Sequence, residues 1–230
     1  MSFAHDKYAK EYDDQIKAYD CYIAEVLFGL SYEFIKKGES LLDVGIGTGI
    51  SSRLFYLSGL QVFGIDGSAE MLTICEKKGI AKELVEQDVL VLPWPYQDDM
   101  FHHVICCGVF HFIGDLEKIF EEITRIQKND GILAFTVMDG GEEQRNQEKY
   151  KKRIEDGLNI FSHQASYIYQ LMKKNNYSKE KEIISFVGQT QFRAIVARKH
   201  EGGHLSQQSY QINLSERKCL NKKRILCLKR

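Results

Sequence analysis

The sequence predicts an α/β fold in which a doubly wound, mostly parallel, seven-stranded sheet is closed by an antiparallel C-terminal hairpin. Between residues 40 and 137, five short β-branched or apolar runs alternate with longer amphipathic stretches, as successive βα units of a parallel sheet do. The first of these runs leads into a loop with glycine at every second position. Two further runs, 182–188 and 192–198, are separated by three residues, a length suited to a hairpin that adds an antiparallel edge.

Each element follows from the same periodicity. The five runs predict strands at 40–44, 61–65, 83–87, 103–107 and 131–137. The stretches between them predict helices at 49–58, 68–78 and 115–128. Residues 5–37 have the pattern of one or two amphipathic helices, and residues 142–176 have the pattern of two helices joined around Gly157. We therefore expect a helical cap over the sheet, built from residues 1–37 and 139–176.

Length and charge predict one domain followed by a basic tail. At 230 residues, with 43% hydrophobic and 27% charged residues, the chain suits a single domain with an ordinary core. We expect this domain to span residues 1–199 and a disordered tail to span residues 200–230. Residues 199–230 carry a net charge of +6, which leaves −7 on the rest of the chain. The body therefore has no basic face for a nucleic acid, and such a partner is disfavoured.

The cysteines and the hydropathy pattern favour a cytoplasmic protein. The six cysteines form no Cys-x-x-Cys pair, so the sequence predicts neither a zinc site nor a disulfide framework. No apolar run approaches the ~20 residues that cross a bilayer, and the first residues lack the pattern of a signal peptide. We expect a monomer or a homodimer, with no bound metal and no membrane partner.

The strongest chemical signal is the loop that follows the first predicted strand. Gly45, Gly47 and Gly49 each let the backbone approach a ligand or reverse sharply without a Cβ clash. Dinucleotide sites use Gly-x-Gly-x-x-Gly, and Ile50 stands here where their third glycine is needed. Asp43 is poorly placed beside a pyrophosphate but suits a cationic ligand, such as a sulfonium with an α-amino group. The loop thus disfavours a nicotinamide-dependent oxidoreductase.

Two carboxylates at the ends of the next strands extend this site. Asp66 ends the second strand, about 20 residues past the loop, the distance at which a carboxylate accepts both hydroxyls of a ribose. Asp88 follows the third strand beside the backbone N–H of Val89, a pair able to bind the amino group and a ring nitrogen of adenine. The pattern therefore predicts a ligand that contains a ribose and an adenine.

In order and spacing, these motifs resemble the class I S-adenosylmethionine-dependent methyltransferases, in the broad subgroup that acts mostly on small molecules. The resemblance covers residues 8–137 and includes the segments Leu41–Gly49, Val62–Leu72, Gln87–Pro95, Phe101–Asp115 and Leu116–Val137. It implies a Rossmann-like fold with S-adenosylmethionine as cofactor. The sequence departs from the family at Asn129-Asp130-Gly131, where Pro-Gly-Gly is common, and at His102-His103, where Asp is usual after Phe101.

The resemblance also implies a role for each matching residue. Asp43 and Gly45 lie near the methionine part of the cofactor, and Asp66 holds the ribose. Met71, Asp88 and Val89 contact the adenine, and Gly108 lines the cofactor from below. Tyr12 resembles the aromatic residues that close over the cofactor, although core packing explains it nearly as well. The remaining predicted site residues are Gly47, Gly49 and Gly67.

His111 is the candidate catalytic residue. It lies just past the fourth strand, where the transferring methyl group points, and can act as a general base; the alternative is a packing histidine bonded to the backbone. A base is needed only when the acceptor arrives protonated, because alignment of acceptor and methyl carbon supplies much of the acceleration. The loop after this strand lacks the Asn/Asp-Pro-Pro-Tyr and Pro-Cys motifs of amino-group and cytosine C5 methylases.

These observations predict methyl transfer from S-adenosylmethionine to a small molecule. Substrate choice is expected in the cap, with Phe161, His163 and Tyr167 as candidates to face the acceptor. Two alternatives stay open: a catalytically idle module that keeps the cofactor pocket, and an enzyme that methylates a protein or an RNA.

Overall fold

Nine strands form one mixed sheet in the computed structural model, which describes residues 6–140 and 148–202, with the backbone alone for residues 6–8. The strands are β1 (Ser40–Val44), β2 (Gln61–Asp66), β3 (Glu83–Glu86), β4 (His103–Cys106), β5 (Ile132–Asp139), β6 (Tyr150–Glu155), β7 (Leu158–His163), β8 (Tyr177–Val187) and β9 (Thr190–Lys199). The α-helices are α1 (Tyr12–Ala18), α2 (Ile23–Ser31), α3 (Arg53–Leu57), α4 (Ala69–Lys78), α5 (Glu117–Ile126) and α6 (Ala165–Lys174). Short 3₁₀ segments cover Asp6–Glu11, Tyr32–Phe34 and Phe110–Phe112.

The parallel half of the sheet has the strand order β3-β2-β1-β4-β5. The chain runs outward from β1 through β2 to β3, and then returns to the other side of β1 for β4 and β5. The strand order therefore reverses between β1 and β4. In open α/β sheets, ligands bind at such a switch point, beyond the carboxyl ends of the strands.

Helices cover both faces of this sheet. Leu42 and Val44 of β1 join one buried cluster, which includes Phe120 of α5. Leu41 points to the opposite face and joins a second cluster, which includes Phe55 of α3. Side chains alternate between the faces of a strand, so β1 is buried on both sides and is apolar almost throughout. The predicted α/β class, with a doubly wound sheet, is confirmed.

A long hairpin forms the antiparallel edge. β8 and β9 pair with each other, and β9 also pairs with β5, from Ile132 opposite Arg198 to Met138 opposite Phe192. The predicted C-terminal hairpin is confirmed, with longer strands than expected. Because β9 runs antiparallel to β5, its first residues lie at the carboxyl end of the parallel sheet.

The helical cap predicted for residues 139–176 is wrong over its central part. Residues 150–163 form an antiparallel hairpin of β6 and β7, and α6 is the helical segment that follows. This hairpin raises the number of described strands to nine from the predicted seven. Asp156 and Gly157 form its turn with φ of +48° and +80°, the positive values that a two-residue type I′ turn requires. Residues 141–147 lie outside the described part of the chain.

The other predicted elements are present with shifted ends. α4 begins after Ser68, whose hydroxyl accepts a hydrogen bond from the N–H of Met71, and it ends at Gly79 with φ of +61°. The helix predicted at 49–58 is shorter, because turns and a bend occupy residues 47–52 and α3 begins only at Arg53. The N-terminal helices predicted over residues 5–37 are α1 and α2, with their flanking 3₁₀ segments.

The chain divides into two units, Met1–His200 and Glu201–Arg230. The first unit contains all the elements given above. Residues 203–230 of the second unit lie outside the described part, and so does the tail predicted there. Within the part of the chain that the structure describes, no helix combines the length and the apolar character needed to cross a membrane.

Candidate functional site

A cavity of about 480 Å³ lies at the switch point, at the carboxyl ends of the parallel strands. This volume is within the usual range of small-ligand sites, roughly 300–1,000 Å³. Most residues of the predicted site line it: Tyr12, Gly45, Gly47, Asp66, Gly67, Met71, Asp88, Val89, Gly108 and His111. The fold thus brings together residues that are up to 99 positions apart in the sequence.

The glycine loop is fixed by backbone hydrogen bonds to β2. The N–H groups of Gly45 and Ile46 both donate to the carbonyl oxygen of Ile65, at 2.8 and 3.2 Å. Gly45 has φ of +75°, and a Cβ there would lie 2.3 Å from Cγ2 of Val109. Gly47 has φ of +54°, and a Cβ there would meet no atom within 4 Å. The backbone of Gly47 therefore faces open space in the cavity.

Asp66 is held at the end of β2 by two backbone groups. Its Oδ2 accepts a hydrogen bond from the N–H of Gly47 at 2.8 Å, and its Oδ1 accepts one from the N–H of Ser68 at 2.9 Å. The first bond ties the carboxylate to the glycine loop, and the second orients it from the start of α4. Because each carboxylate oxygen has two lone pairs, this arrangement can also accept two neighbouring hydroxyls of a ligand.

The segment after β3 is built as a rigid edge of the cavity. The Oδ1 atom of Asp88 accepts a hydrogen bond from the N–H of Leu90 at 2.9 Å, and the carbonyl oxygen of Val89 accepts one from Nε1 of Trp94 at 3.1 Å. Trp94 is itself buried, so it anchors this segment to the core. Met71 of α4 is buried on the same side and presents an apolar surface to the cavity.

Asp43 and Gly49 do not line the cavity, contrary to the prediction. The side chain of Asp43 is fully buried behind the loop, where Oδ2 accepts hydrogen bonds from the hydroxyls of Ser51 and Ser52 at 3.1 and 2.7 Å. Burial raises the pKa of this carboxyl to about 7, against the smaller opposing effect of the two hydroxyls. A Cβ at Gly49 would lie 2.4 Å from Cδ1 of Ile80, so this glycine allows close packing with the core.

His111 lies on the other side of the switch point, in the 3₁₀ segment after β4. The centroid of its ring is 4.0 Å from that of Phe112 and 5.5 Å from that of Phe192, and the ring of Phe192 is nearly perpendicular to it. Gly108, at the start of this loop, has φ of +73°, and its N–H donates to Oγ1 of Thr136 on β5 at 2.9 Å. The loop thus places the imidazole of His111 beside the rings of Phe112 and Phe192, at the end of the cavity next to β4 and β5.

The cap residues predicted to face the acceptor brace this loop instead. Nε2 of His163 contacts the carbonyl oxygens of Ile113 and Gly114, both at 3.0 Å. The hydroxyl of Tyr167 accepts from the N–H of Leu116 at 2.8 Å and donates to Asp115. The ring of Phe161 packs on Tyr150. The expectation that Phe161, His163 and Tyr167 contact the acceptor is therefore wrong.

Other elements supply the side chains that were not predicted at this end. Val187 and Phe192 come from the β8–β9 hairpin, and Ile23 and Ala24 come from the first turn of α2. These residues show no motif, and only the pairing of β9 with the end of β5 brings the hairpin here. Thr136 could have been predicted as a site residue from the sequence, because it lies near the carboxyl end of β5, the strand next to β4.

Helix α1 covers the cavity from the N-terminal side. Tyr12 and Ile16 line the cavity. Between them, Asp13 accepts hydrogen bonds from the hydroxyl of Thr48 at 2.6 Å and from Nζ of Lys78 at 2.5 Å. Burial raises the pKa of the Tyr12 hydroxyl to about 12, so this side chain stays neutral at physiological pH. Asp13 thus fastens α1 to the glycine loop and to the end of α4.

Residues 42–135 match a family described as a methyltransferase domain. The matched region includes the glycine loop, both cavity carboxylates and His111. This part of the chain is a methyltransferase domain. Among the residues that the structure describes, no cluster of three or more His, Cys, Asp or Glu side chains is suited to a metal ion.

Comparison with known proteins agrees with this assignment. The methyltransferase chain is 29% identical, over 76% of its length, to an uncharacterised protein of Methanocaldococcus jannaschii, of which it covers 82%. It covers only 49% and 25% of the next two curated relatives. It resembles the methyltransferase solved with the Haloferax volcanii Trm112 activator, with a TM-score of 0.69 and 17% identity over 87% of this chain and 97% of that one.

One similar structure contains a cofactor product. It is the 1,6-didemethyltoxoflavin-N1-methyltransferase of Burkholderia thailandensis, bound to 1,6-didemethyltoxoflavin and S-adenosylhomocysteine. The TM-score is 0.64, with 14% identity over 85% of this chain and 86% of that one, a likeness of fold alone.

The described residues fit S-adenosylmethionine, the cofactor that the sequence motifs imply. Gly47 and Gly108 both have positive φ, both line the cavity, and a Cβ at either would meet no atom within 4 Å. Such backbone leaves space for a closely held ligand. Asp66 and Asp88 add the two carboxylates needed for a ribose and an adenine edge at the same end of the cavity.

Proposed function

We propose that this chain transfers the methyl group of S-adenosylmethionine to a small-molecule acceptor, mainly by holding the two in line. The observation that carries the proposal is one continuous cavity with two different ends. Asp66 and Asp88 lie at the end beside β2 and β3, and His111 and the β8–β9 hairpin lie at the end beside β4 and β5. Such a cavity has a place for the cofactor at one end and for the acceptor at the other.

In this proposal, the residues of the first end hold the cofactor. Asp66 accepts the ribose hydroxyls, and Asp88 with the N–H of Val89 binds the edge of the adenine. Met71 packs on the adenine ring, and Tyr12 closes the cavity from α1. The backbone at Gly45, Gly47, Gly67 and Gly108 approaches the cofactor closely. Bound S-adenosylmethionine supplies an electrophilic methyl group on a sulfonium that is a good leaving group.

His111 acts on the acceptor in this proposal. Its imidazole is the described basic side chain at the β4–β5 end, between Phe112 and Phe192. It takes the proton of an acceptor that arrives protonated. Thr136, whose hydroxyl accepts a hydrogen bond from the N–H of Gly108, lines the same end of the cavity. The domain match supports methyl transfer, and the cavity volume of about 480 Å³ supports a small acceptor.

Binding of the cofactor is tested first, by calorimetric titration of the full chain with S-adenosylmethionine, S-adenosylhomocysteine and NAD. We expect both sulfur compounds to bind and NAD not to bind. Asp66→Asn should weaken both by about 10- to 100-fold, because it removes charge-assisted hydrogen bonds worth roughly 1.5–3 kcal/mol. Asp14→Asn makes the same change of charge on the outer face of α1 and should leave both affinities unchanged. Binding of NAD alone, or equal affinities in the two variants, would contradict the proposal.

Turnover separates the enzyme from its two alternatives. The full chain is incubated with methyl-labelled S-adenosylmethionine and a cell extract, and the extract is then separated by size. We expect label in the small-molecule fraction. Label in protein or RNA would indicate a macromolecular acceptor, and cofactor binding without any transfer would indicate an idle binding module.

A further inference from the structure

The two ends of the cavity differ in charge. Both described carboxylates of its lining, Asp66 and Asp88, belong to the end beside β2 and β3. At the end beside β4 and β5, the described lining consists of neutral side chains: Cys21, Ile23, Ala24, Thr136, Val187 and Phe192. Within the described residues, no Lys, Arg, Asp or Glu side chain lines this end.

The charged groups around this end stay outside the cavity lining. Glu25 follows Ala24 on α2 and does not line the cavity, although its charge is one of the smaller effects that raise the pKa of Cys21 and Cys107.

The charged groups beside Phe192 are paired with one another. Arg193 follows Phe192 on β9, so the two side chains point to opposite faces of the strand. The guanidinium of Arg193 donates to Asp139 at 3.0 Å and also contacts Glu182. All three side chains are largely removed from solvent, and none of them lines the cavity.

The titratable thiols of this end also stay neutral. Burial raises the pKa of Cys21 and of Cys107 above the usual range of a thiol. Their thiol groups therefore remain protonated near pH 7. Of the described side chains at this end, the imidazole of His111 is the one with a ring nitrogen that can accept a proton from the acceptor.

A charged acceptor would lose its hydration at this end without gaining a described side chain of opposite charge. Burial of an unpaired ionised group costs several kcal/mol, whereas an aromatic ring gains from leaving water. An amine acceptor is an ammonium near pH 7, and an acid is a carboxylate. A hydroxyl is a nucleophile that enters neutral and then needs a base. A phenol, with a pKa near 10, gives up its proton to an imidazole more readily than an aliphatic alcohol does.

We infer that the acceptor is an uncharged aromatic compound with a hydroxyl group, bound between the β8–β9 hairpin and α2 beside His111. This inference rests on the proposed function. The acceptor oxygen forms a bond to the methyl carbon, the carbon–sulfur bond breaks with its electron pair on sulfur, and the hydroxyl proton goes to the imidazole. Phe112 and Phe192, which line the cavity beside His111, supply apolar contacts to the aromatic ring of the acceptor.

Three compounds with one ring system test the inference: 2-naphthol, 2-naphthoate and 2-naphthylmethylammonium. Each is titrated into the full chain at pH 7, in the presence of saturating S-adenosylhomocysteine, and binding is followed by naphthyl fluorescence. We expect 2-naphthol to bind at least about tenfold more tightly than either ion, because only the ions bring an unpaired charge into the cavity. Equal or tighter binding of either ion, or no binding of 2-naphthol, overturns the inference.

A pair of phenylalanine variants locates the bound ring. Phe192→Ala should weaken 2-naphthol binding about tenfold, because Phe192 lines the cavity. Phe186→Ala is the matched control, since Phe186 lies on the same hairpin but is 58% exposed and does not line the cavity. An equal loss in both variants, or no loss in either, overturns the placement.

The affinity for S-adenosylhomocysteine is measured separately in every variant. If the wild-type chain does not bind it, the proposed function fails and this inference fails with it. If the chain binds it but does not prefer 2-naphthol to the two ions, only this inference fails. Intact S-adenosylhomocysteine binding by Phe192→Ala shows that this variant is folded, so that its loss of naphthol binding is interpretable.

Discussion

Asp43 lies behind the glycine loop, and its carboxyl has a different role from the two carboxylates of the cavity. Its side chain is fully buried, and within the described residues Oδ1 has no hydrogen-bond partner, while Oδ2 accepts from Ser51 and Ser52. These two serines lie between the last glycine and α3. The hydrogen bonds therefore hold the loop against the core, and this carboxyl acts on the site through the backbone.

The stability of the chain should depend on pH through Asp43. Its pKa is about 7 in the folded chain and about 3.9 in the unfolded chain, so the folded state binds the extra proton between these values. The free energy of unfolding contributed by Asp43 is therefore present below about pH 4 and is lost as pH rises to about 7. Asp43→Asn keeps the size and the acceptor oxygen but does not titrate.

Urea unfolding of wild type and Asp43→Asn at several pH values tests this prediction. The wild-type free energy of unfolding should fall relative to the variant by a few kcal/mol between pH 4 and 7, on the scale of about 1.4 kcal/mol per pKa unit. Other titrating groups contribute equally to both proteins and cancel in the difference. A constant difference across this range would show that Asp43 does not change its protonation there.

At the same scale, the sequence predicts which strand-end residues line the cavity, but it misses Val187 and Phe192 at the end beside β4 and β5. Asp66 and Asp88 follow strands of one parallel sheet, and the parallel arrangement alone places them at one edge. Phe192 reaches the cavity only through the antiparallel pairing of β9 with β5. The prediction that Asp43 lies at the cavity was wrong because side chains alternate along β1. This alternation directs Asp43, like Leu41, to the face of the sheet that α3 covers.

Among the elements, α1 is weakly attached to the fold. Its residues are half-buried or exposed, and Asp13 links it to Thr48 in the glycine loop and to Lys78 in α4. Tyr12 and Ile16 of this helix line the cavity all the same. We therefore expect α1 to control how fast the cofactor leaves while contributing little to the stability of the domain.

Asp13→Ala should raise the dissociation rate of S-adenosylhomocysteine roughly two- to tenfold, as expected for the loss of one or two hydrogen bonds of about 0.5–1.5 kcal/mol. The thermal midpoint should stay nearly unchanged, since no residue of α1 is fully buried. Stopped-flow displacement gives the rate, and Asp14→Ala is the control because Asp14 pairs with Lys17 at 3.6 Å on the exposed side of α1. A lower midpoint with an unchanged rate would mean that Asp13 serves stability alone.

The β6–β7 hairpin shows where element prediction failed. Residues 142–155 are polar, and a solvent-exposed edge strand has no apolar alternation to distinguish it from a polar helix. The Asp156-Gly157 pair was the available signal, because adjacent residues with positive φ favour a tight hairpin turn and end a helix. The hairpin still affects the site, since His163 at its end holds the carbonyl oxygens of Ile113 and Gly114.

At the scale of the whole molecule, the last strand closes the fold. The N–H of Lys199 donates to the carbonyl oxygen of Gly131 at 2.9 Å, and its Nζ donates to that of Thr124 at 2.9 Å. Lys199 is only 8% exposed, so it is buried where the chain passes from α5 to β5. The N–H of His200 donates to the carbonyl oxygen of Asn176 at 2.9 Å.

We propose that residues 1–199 are sufficient for folding and for cofactor binding, without the basic segment that follows them. A chain that ends at Gly202 keeps the pairing of β9, the contacts of Lys199 and every residue of the cavity. Its thermal midpoint and its affinity for S-adenosylhomocysteine should equal those of the full chain, while its net charge becomes more negative by six. Differential scanning calorimetry and titration of both chains, with ion-exchange elution to verify the change of charge, provide the comparison. A fall of the midpoint by several degrees, on the order of 1 kcal/mol for a domain of this size, would instead place residues 203–230 within the folding unit.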